Sequence, residues 1–180
     1  TVTPLIVGEM DEARRKAVAR KLAARLDKGD VIVASSDSTH YGKAYRYEPF
    51  PRDDQLPKRL FERALSLFER VGSLDTGSFD QFLSETGDTT CGRAPILLLQ
   101  AALARRSEPH YVQALDYLPS GALTKDYSLS VTYGALAFYP ARAFEVGPAE
   151  QKKLLLSARQ TLEAYLETGA KTPVPVPAGD

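Results

Sequence analysis

The first 35 residues restrict the fold more than any other stretch. Val2 to Val7 is an apolar run that reads as a buried strand. From about Asp11 to Asp27 the pattern becomes helical: Val18, Leu22 and Leu26 recur every four residues, with Ala17 and Ala24 widening the stripe. Gly29 is a stop signal, and Val31-Ile32-Val33-Ala34 reads as a second strand. A strand, a helix and a strand in so short a span predict a βαβ unit and a sheet that is at least partly parallel, placing the chain in the α/β class.

Ser35 to Asp54 has no regular period and begins just beyond that second strand. In α/β folds this is where ligand sites form. Helices are expected over about Pro57 to Val71, with Leu60, Phe61, Ala64, Leu65, Phe68 and Val71 inward, and over Gly77 to Glu85, burying Phe79, Phe82 and Leu83. A further helix starts at Pro95, since proline suits a first helical turn. Tyr111 to Leu118 and Ser130 to Tyr139 read as strands. Near Gly147 the character changes. Pro148 to Thr168 reads as one amphipathic helix with Leu154, Ala158, Leu162 and Leu166 on a single face, and Lys171 to Asp180 as a proline-rich linker.

The charge balance narrows the partners. With 23 basic and 23 acidic residues, long-range attraction to nucleic acid or an anionic membrane is not expected. No apolar run is long enough to span a bilayer. A single cysteine fits a reducing, cytoplasmic compartment.

Few residues can carry chemistry. In Ser35-Ser36-Asp37-Ser38-Thr39-His40-Tyr41-Gly42, a carboxylate stands three residues before an imidazole at the expected strand end. Such a pair serves proton transfer or supports a metal; otherwise it is a hydroxyl-rich turn with a surface histidine. Cys91 lies just before a helix start, where amide groups and the helix dipole favour thiolate, and Arg93 adds to this if it points inward. The alternative is a small buried apolar residue. His110 reads as structural, and Thr1 as an arbitrary start rather than an N-terminal nucleophile. No glycine-rich phosphate loop occurs.

Three segments resemble the Memo family. They are the run from Val31 through Gly42 with Tyr45-Arg46-Tyr47, the Thr90-Cys91-Gly92-Arg93-Ala94-Pro95 segment, and Ser130-Val131-Thr132-Tyr133-Gly134-Ala135. The resemblance implies an α/β fold like the class III extradiol dioxygenases of the LigB type, a mixed sheet flanked by helices, here as a partial domain over residues 1–145. It further implies an iron or copper site in which Cys91 is a ligand, His40 an auxiliary ligand or acid/base, and Asp37 a partner orienting His40. Two family histidines belong to an N-terminal half that this chain does not contain, so that half is an expected partner. Residues 146–180 resemble the opening helix of AMMECR-type domains, as in AmmeMemoRadiSam fusions. That makes them the start of a second α+β domain and suggests a radical SAM protein as a further partner. The Leu-Arg-Gly-Cys segment of those domains is absent. The function implied is metal-dependent redox or dioxygenase-like chemistry on an unknown small molecule. The alternative is a non-catalytic adaptor that binds a peptide or phosphopeptide through Tyr41, Tyr45, Arg46 and Tyr47.

Overall fold

The structure, a computed structural model, describes residues 1–27, 29–106 and 109–169. The chain divides after Tyr139 into two compact units, Thr1–Tyr139 and Pro140–Asp180.

In the first unit, α1 spans Glu12–Ala23, α2 Leu56–Gly72, α3 Thr76–Thr86, α4 Arg93–Leu103 and α5 Ser120–Thr124. Local chemistry accounts for the boundaries. Asp11 caps α1 by accepting from the Arg14 amide, and Asp75 caps α3 by accepting from the Gly77 and Ser78 amides. Gly87 closes α3 in the left-handed conformation at φ 63°. The strands are β1 (His40–Gly42), β2 (His110–Pro119) and β3 (Leu129–Pro140), in the order β1-β3-β2. β1 runs antiparallel to β3, with His40 opposite Val131 and Gly42 opposite Leu129.

The βαβ expectation therefore fails in its strands. Neither Val2 to Val7 nor Val31 to Ala34 is a strand, and the sheet contains no parallel pair built from them. The helix between them is present but ends at Ala23 instead of Asp27. An extended run becomes a strand only beside a neighbour that takes up its amides and carbonyls, and no described strand lies next to either segment. Part of each segment faces solvent, Ile6 at 103% and Val31 at 83% exposed, while Val7 packs against the Ala19, Leu98 and Ala102 cluster.

The core centres on α4, which is apolar on two sides. Ile96 and Leu97 pack with Leu67 and Val71 of α2 and Phe79 and Leu83 of α3, with Leu136 and Phe138 of β3 alongside. Leu98 and Ala102 pack instead with Ala19 of α1. Burying a leucine or phenylalanine in this way contributes about 1.5–3 kcal/mol each. Gln100 crosses the same layer, its side-chain amide donating to the Arg70 and Val71 carbonyls at the end of α2. The buried stripe of α2 is Leu56, Leu60, Ala64, Leu67 and Val71. Phe61 and Leu65, expected inward, lie on the neighbouring flank and are 40% and 41% exposed, with the Phe61 ring edge-on to Tyr117. A smaller cluster of Tyr41, Leu56 and Leu60 fixes β1 against the start of α2.

The second unit contains a 3₁₀ turn, Ala141–Phe144, and α6, Pro148–Thr168, with proline in its first turn and Gly169 closing it at φ 69°. The expected helix is present, and its Leu154, Leu162 and Leu166 face is exposed. The Lys171 to Asp180 linker expectation lies outside the described residues. Among the described residues, no helix is long and apolar enough to cross a membrane.

Candidate metal centre

Two short segments, 54 residues apart in sequence, form the site. The first is the strap from Ser35 to His40. Its Ser38 amide donates to the Thr132 carbonyl (2.9 Å), and the Thr132 amide donates to the Thr39 carbonyl (2.9 Å), so the strap continues the β1–β3 pairing. Thr89 fixes the backbone of His40 from the other side. Its hydroxyl accepts from the His40 amide at 2.7 Å and donates to the His40 carbonyl at 3.0 Å.

The second segment is the turn leading into α4. Asp88 organises it, accepting from the Thr90 amide and hydroxyl and from the Thr39 hydroxyl at 2.7 Å. Ser36 then joins strap to turn by accepting from the Gly92 amide at 2.8 Å. This approach requires glycine. A Cβ at position 92 would lie 2.2 Å from the Ser36 Cβ and 2.3 Å from its Oγ.

The result is one cluster. A carboxylate oxygen of Asp37, an imidazole nitrogen of His40 and the Cys91 thiol all lie within 4.8 Å of one another. Cys91 is exposed and does not behave as a buried apolar residue. Its sulfur accepts from the Asp37 amide at 3.3 Å and lies 3.8 Å from the Asp37 carbonyl oxygen, just before the first turn of α4. His40 Nε2 is buried without a hydrogen-bond partner. Asp37 Oδ2 lies 3.6 Å from it, too far for a hydrogen bond. Buried ring nitrogens are rarely left in this state.

These observations fit a metal ion. Thiolate, imidazole and carboxylate together suit zinc, iron or copper, and a cation among them would occupy the free nitrogen of His40. Ligand atoms sharing such an ion stand roughly 3–4 Å apart, so small side-chain rotations close a set spread over 4.8 Å.

A family model for Memo-like proteins matches residues 1–137. The chain belongs to the Memo-like family. It is 28% identical over 151 residues to the memo-1 homologue of Caenorhabditis elegans, covering 78% of this chain and 43% of that protein. It is 27% identical over 143 residues to a MEMO1 family protein of Thermococcus kodakarensis, covering 76% of this chain and 48% of that protein. Against human MEMO1 the identity is 26% over 150 residues, covering 77% and 49% respectively. The chain spans about half the length of the curated relatives it matches.

Asp37, His40 and Cys91, singled out in the sequence, thus come together. Other expectations change. Arg93 does not turn toward the thiol; it binds Asp80 through Nε at 2.7 Å and Glu9 through Nη1 at 2.6 Å, tying the N-terminal segment and α3 to α4. The aromatic and basic quartet also divides. Tyr41 is fully buried, with its hydroxyl donating to the Phe50 carbonyl at 2.9 Å. Tyr47 donates to the Thr86 carbonyl at 2.9 Å, and burial raises its pKa. Only Tyr45 and Arg46 remain exposed, with the Tyr45 ring 5.0 Å from that of His40. Sequence reasoning missed Ser36, Thr89 and Asp88, which hold the two segments together. Their signal was present as a hydroxyl-rich strap and an Asp-Thr-Thr turn preceding Cys91, but neither pattern names its partner.

Proposed function

We propose that this chain contributes part of a metal-dependent redox centre, holding iron or copper through Cys91 and His40, with Asp37 orienting His40 or joining it as a ligand. The observation that carries this reading is the buried, unpartnered His40 Nε2 beside the Cys91 sulfur and the Asp37 carboxylate. When bound, iron or copper would supply one-electron chemistry and oxygen activation at this point. The chain's own groups would do the rest: Cys91 and His40 retain the ion, the Asp37 amide steadies the thiolate, and Asp37 is placed to receive a substrate proton.

Three donors leave coordination positions for residues outside this chain. Two facts support a complementary polypeptide half as the partner: the chain spans about half of its relatives, and the apolar segments around Ile6 and Val31 lie open for pairing. A LigB-like sheet, an AMMECR-type continuation after residue 145, a radical SAM partner and a cytoplasmic location belong to the same proposal.

Anaerobic titration should show saturable Fe(II) or Cu(I) binding that Cys91→Ser weakens by roughly tenfold or more. Affinity unchanged in that variant would remove the metal role. Oxygen uptake by the metal-loaded parent polypeptide would then establish catalysis. The adaptor reading draws on exposed Tyr45 and Arg46 alone; saturable peptide binding that survives chelation, without oxygen uptake, would favour it.

A further inference from the structure

A groove of about 460 Å³ opens between the loop at Phe50, α2 and α3, in a region that contains none of the three metal-site side chains. Arg63 lies in its wall. The guanidinium carbon stands 5.2 Å from the centre of the Phe50 ring and 5.6 Å from that of Phe82. The two rings hold this cation in place, and its charge faces their electron-rich surfaces. Its Nη1 is buried and meets no acceptor among the described residues. A buried charged donor without an acceptor is costly, so an anion brought to this guanidinium would relieve that cost.

The neighbouring charges define that partner. Arg59 is already occupied by Asp53, through two bonds of 2.7 and 2.9 Å. Glu62 also lines the groove, with Lys58 3.8 Å from its carboxylate. Among the described residues lining the groove, Arg63 is the cation without a paired carboxylate, and it stands beside two aromatic faces. A dianion would meet the Glu62 carboxylate with only one free guanidinium to offset it. A monoanion matches the charge, and a carboxylate matches the planar fork of arginine.

We propose that this groove binds a small monoanionic carboxylate with an apolar or aromatic body, its carboxylate on Arg63 and its body against Phe50 and Phe82. The site is independent of the metal proposal. Calorimetric titration of the full chain with benzoate tests it, using benzamide as the neutral isostere. Benzoate should saturate one site with a Kd on the order of 1 mM, the range expected for so few atoms. Benzamide should bind at least about tenfold more weakly, because it brings no charge for Arg63. Arg63→Met should weaken benzoate by a similar factor, while Cys91→Ser should leave it unchanged. The comparison of the two ligands needs only the wild-type chain, so it stands even if Arg63→Met fails to fold. Absence of saturation, which would mean that water alone completes Arg63, overturns the proposal. Equal affinity for benzamide, or unchanged benzoate affinity in folded Arg63→Met, does so as well.

Discussion

Gly92→Ala is the substitution that most directly tests how the site is held together. The added methyl would stand 2.2 Å from the Ser36 Cβ, 2.3 Å from its Oγ and 3.1 Å from the Ser35 carbonyl oxygen. Ordinary contact between carbon atoms lies at about 3.5–4.0 Å. The strap must therefore retreat by roughly 1.3–1.8 Å, and the Ser36 Cβ cannot rotate away because it is fixed to the backbone. A shift of that size breaks the 2.8 Å bond from the Gly92 amide to Ser36 and the 3.3 Å bond from the Asp37 amide to Cys91. The lost hydrogen bond to Ser36 is worth about 1 kcal/mol, and the overpacking about 1–3 kcal/mol. A total of about 2–4 kcal/mol corresponds to a Tm lowered by roughly 5–15 °C for a chain of this size. The same retreat separates Asp37 and His40 from Cys91, so metal affinity should fall by about tenfold or more. Adding Ser36→Gly removes both of the closest atoms, and the double variant should recover the overpacking part of the loss but not the hydrogen bond to Ser36. Thermal unfolding by circular dichroism and a cobalt titration read the two effects. A Gly92→Ala protein with wild-type Tm and wild-type cobalt affinity would refute the reasoning, since the strap could not then lie where it is described.

Two further substitutions probe the packing of the first unit away from the site. At Gly134 of β3 an added Cβ would lie 1.9 Å from the tip of the Phe68 ring on α2. Gly134→Ala should destabilise by about 1–3 kcal/mol, and a denaturant double-mutant cycle with Phe68→Leu should show a coupling of at least about 0.5 kcal/mol. The hydroxyl of Tyr117 is buried without a partner, and burial pushes its pKa up to about 12 from 10.0. Burial thus penalises the phenolate in the folded state: this group leaves folding stability unchanged below pH 10.0, and stability falls as pH rises from there through about 12. Ultraviolet titration should show one late-ionising tyrosine that Tyr117→Phe removes, with stability at neutral pH equal to or above wild type because an unpaired hydroxyl has gone.

The longer helices were legible because each carries its own evidence, whereas the five-residue α5, Ser120–Thr124, carries too little to be read. Asp75 caps, Pro148 starts and Gly169 ends are local signals, and the apolar period of α2 needs no knowledge of its partner. Strands are different. Val2 to Val7 has strand composition, yet a ladder requires a neighbour, and the sequence of a segment does not supply one. The converse is β1, three residues long, which no pattern reveals and which forms because His40, Tyr41 and Gly42 meet Val131, Ser130 and Leu129. Legibility of the site divides the same way. Asp37, His40 and Cys91 stand out by their chemistry and by family resemblance. Ser36 and Thr89 do not, because a hydroxyl becomes informative only when its partner, here Gly92 or the His40 backbone, is brought alongside.

The central proposal is that Cys91 and His40, with Asp37 beside them, hold one metal ion. Anaerobic titration with Co(II), followed by thiolate-to-cobalt charge-transfer absorption, addresses it directly because the chain has one cysteine. The account predicts a band that saturates at one equivalent, disappears in Cys91→Ser and requires about tenfold or more cobalt in His40→Ala. Absence of the band in the wild-type chain, or a band whose midpoint is unchanged in His40→Ala, would contradict it.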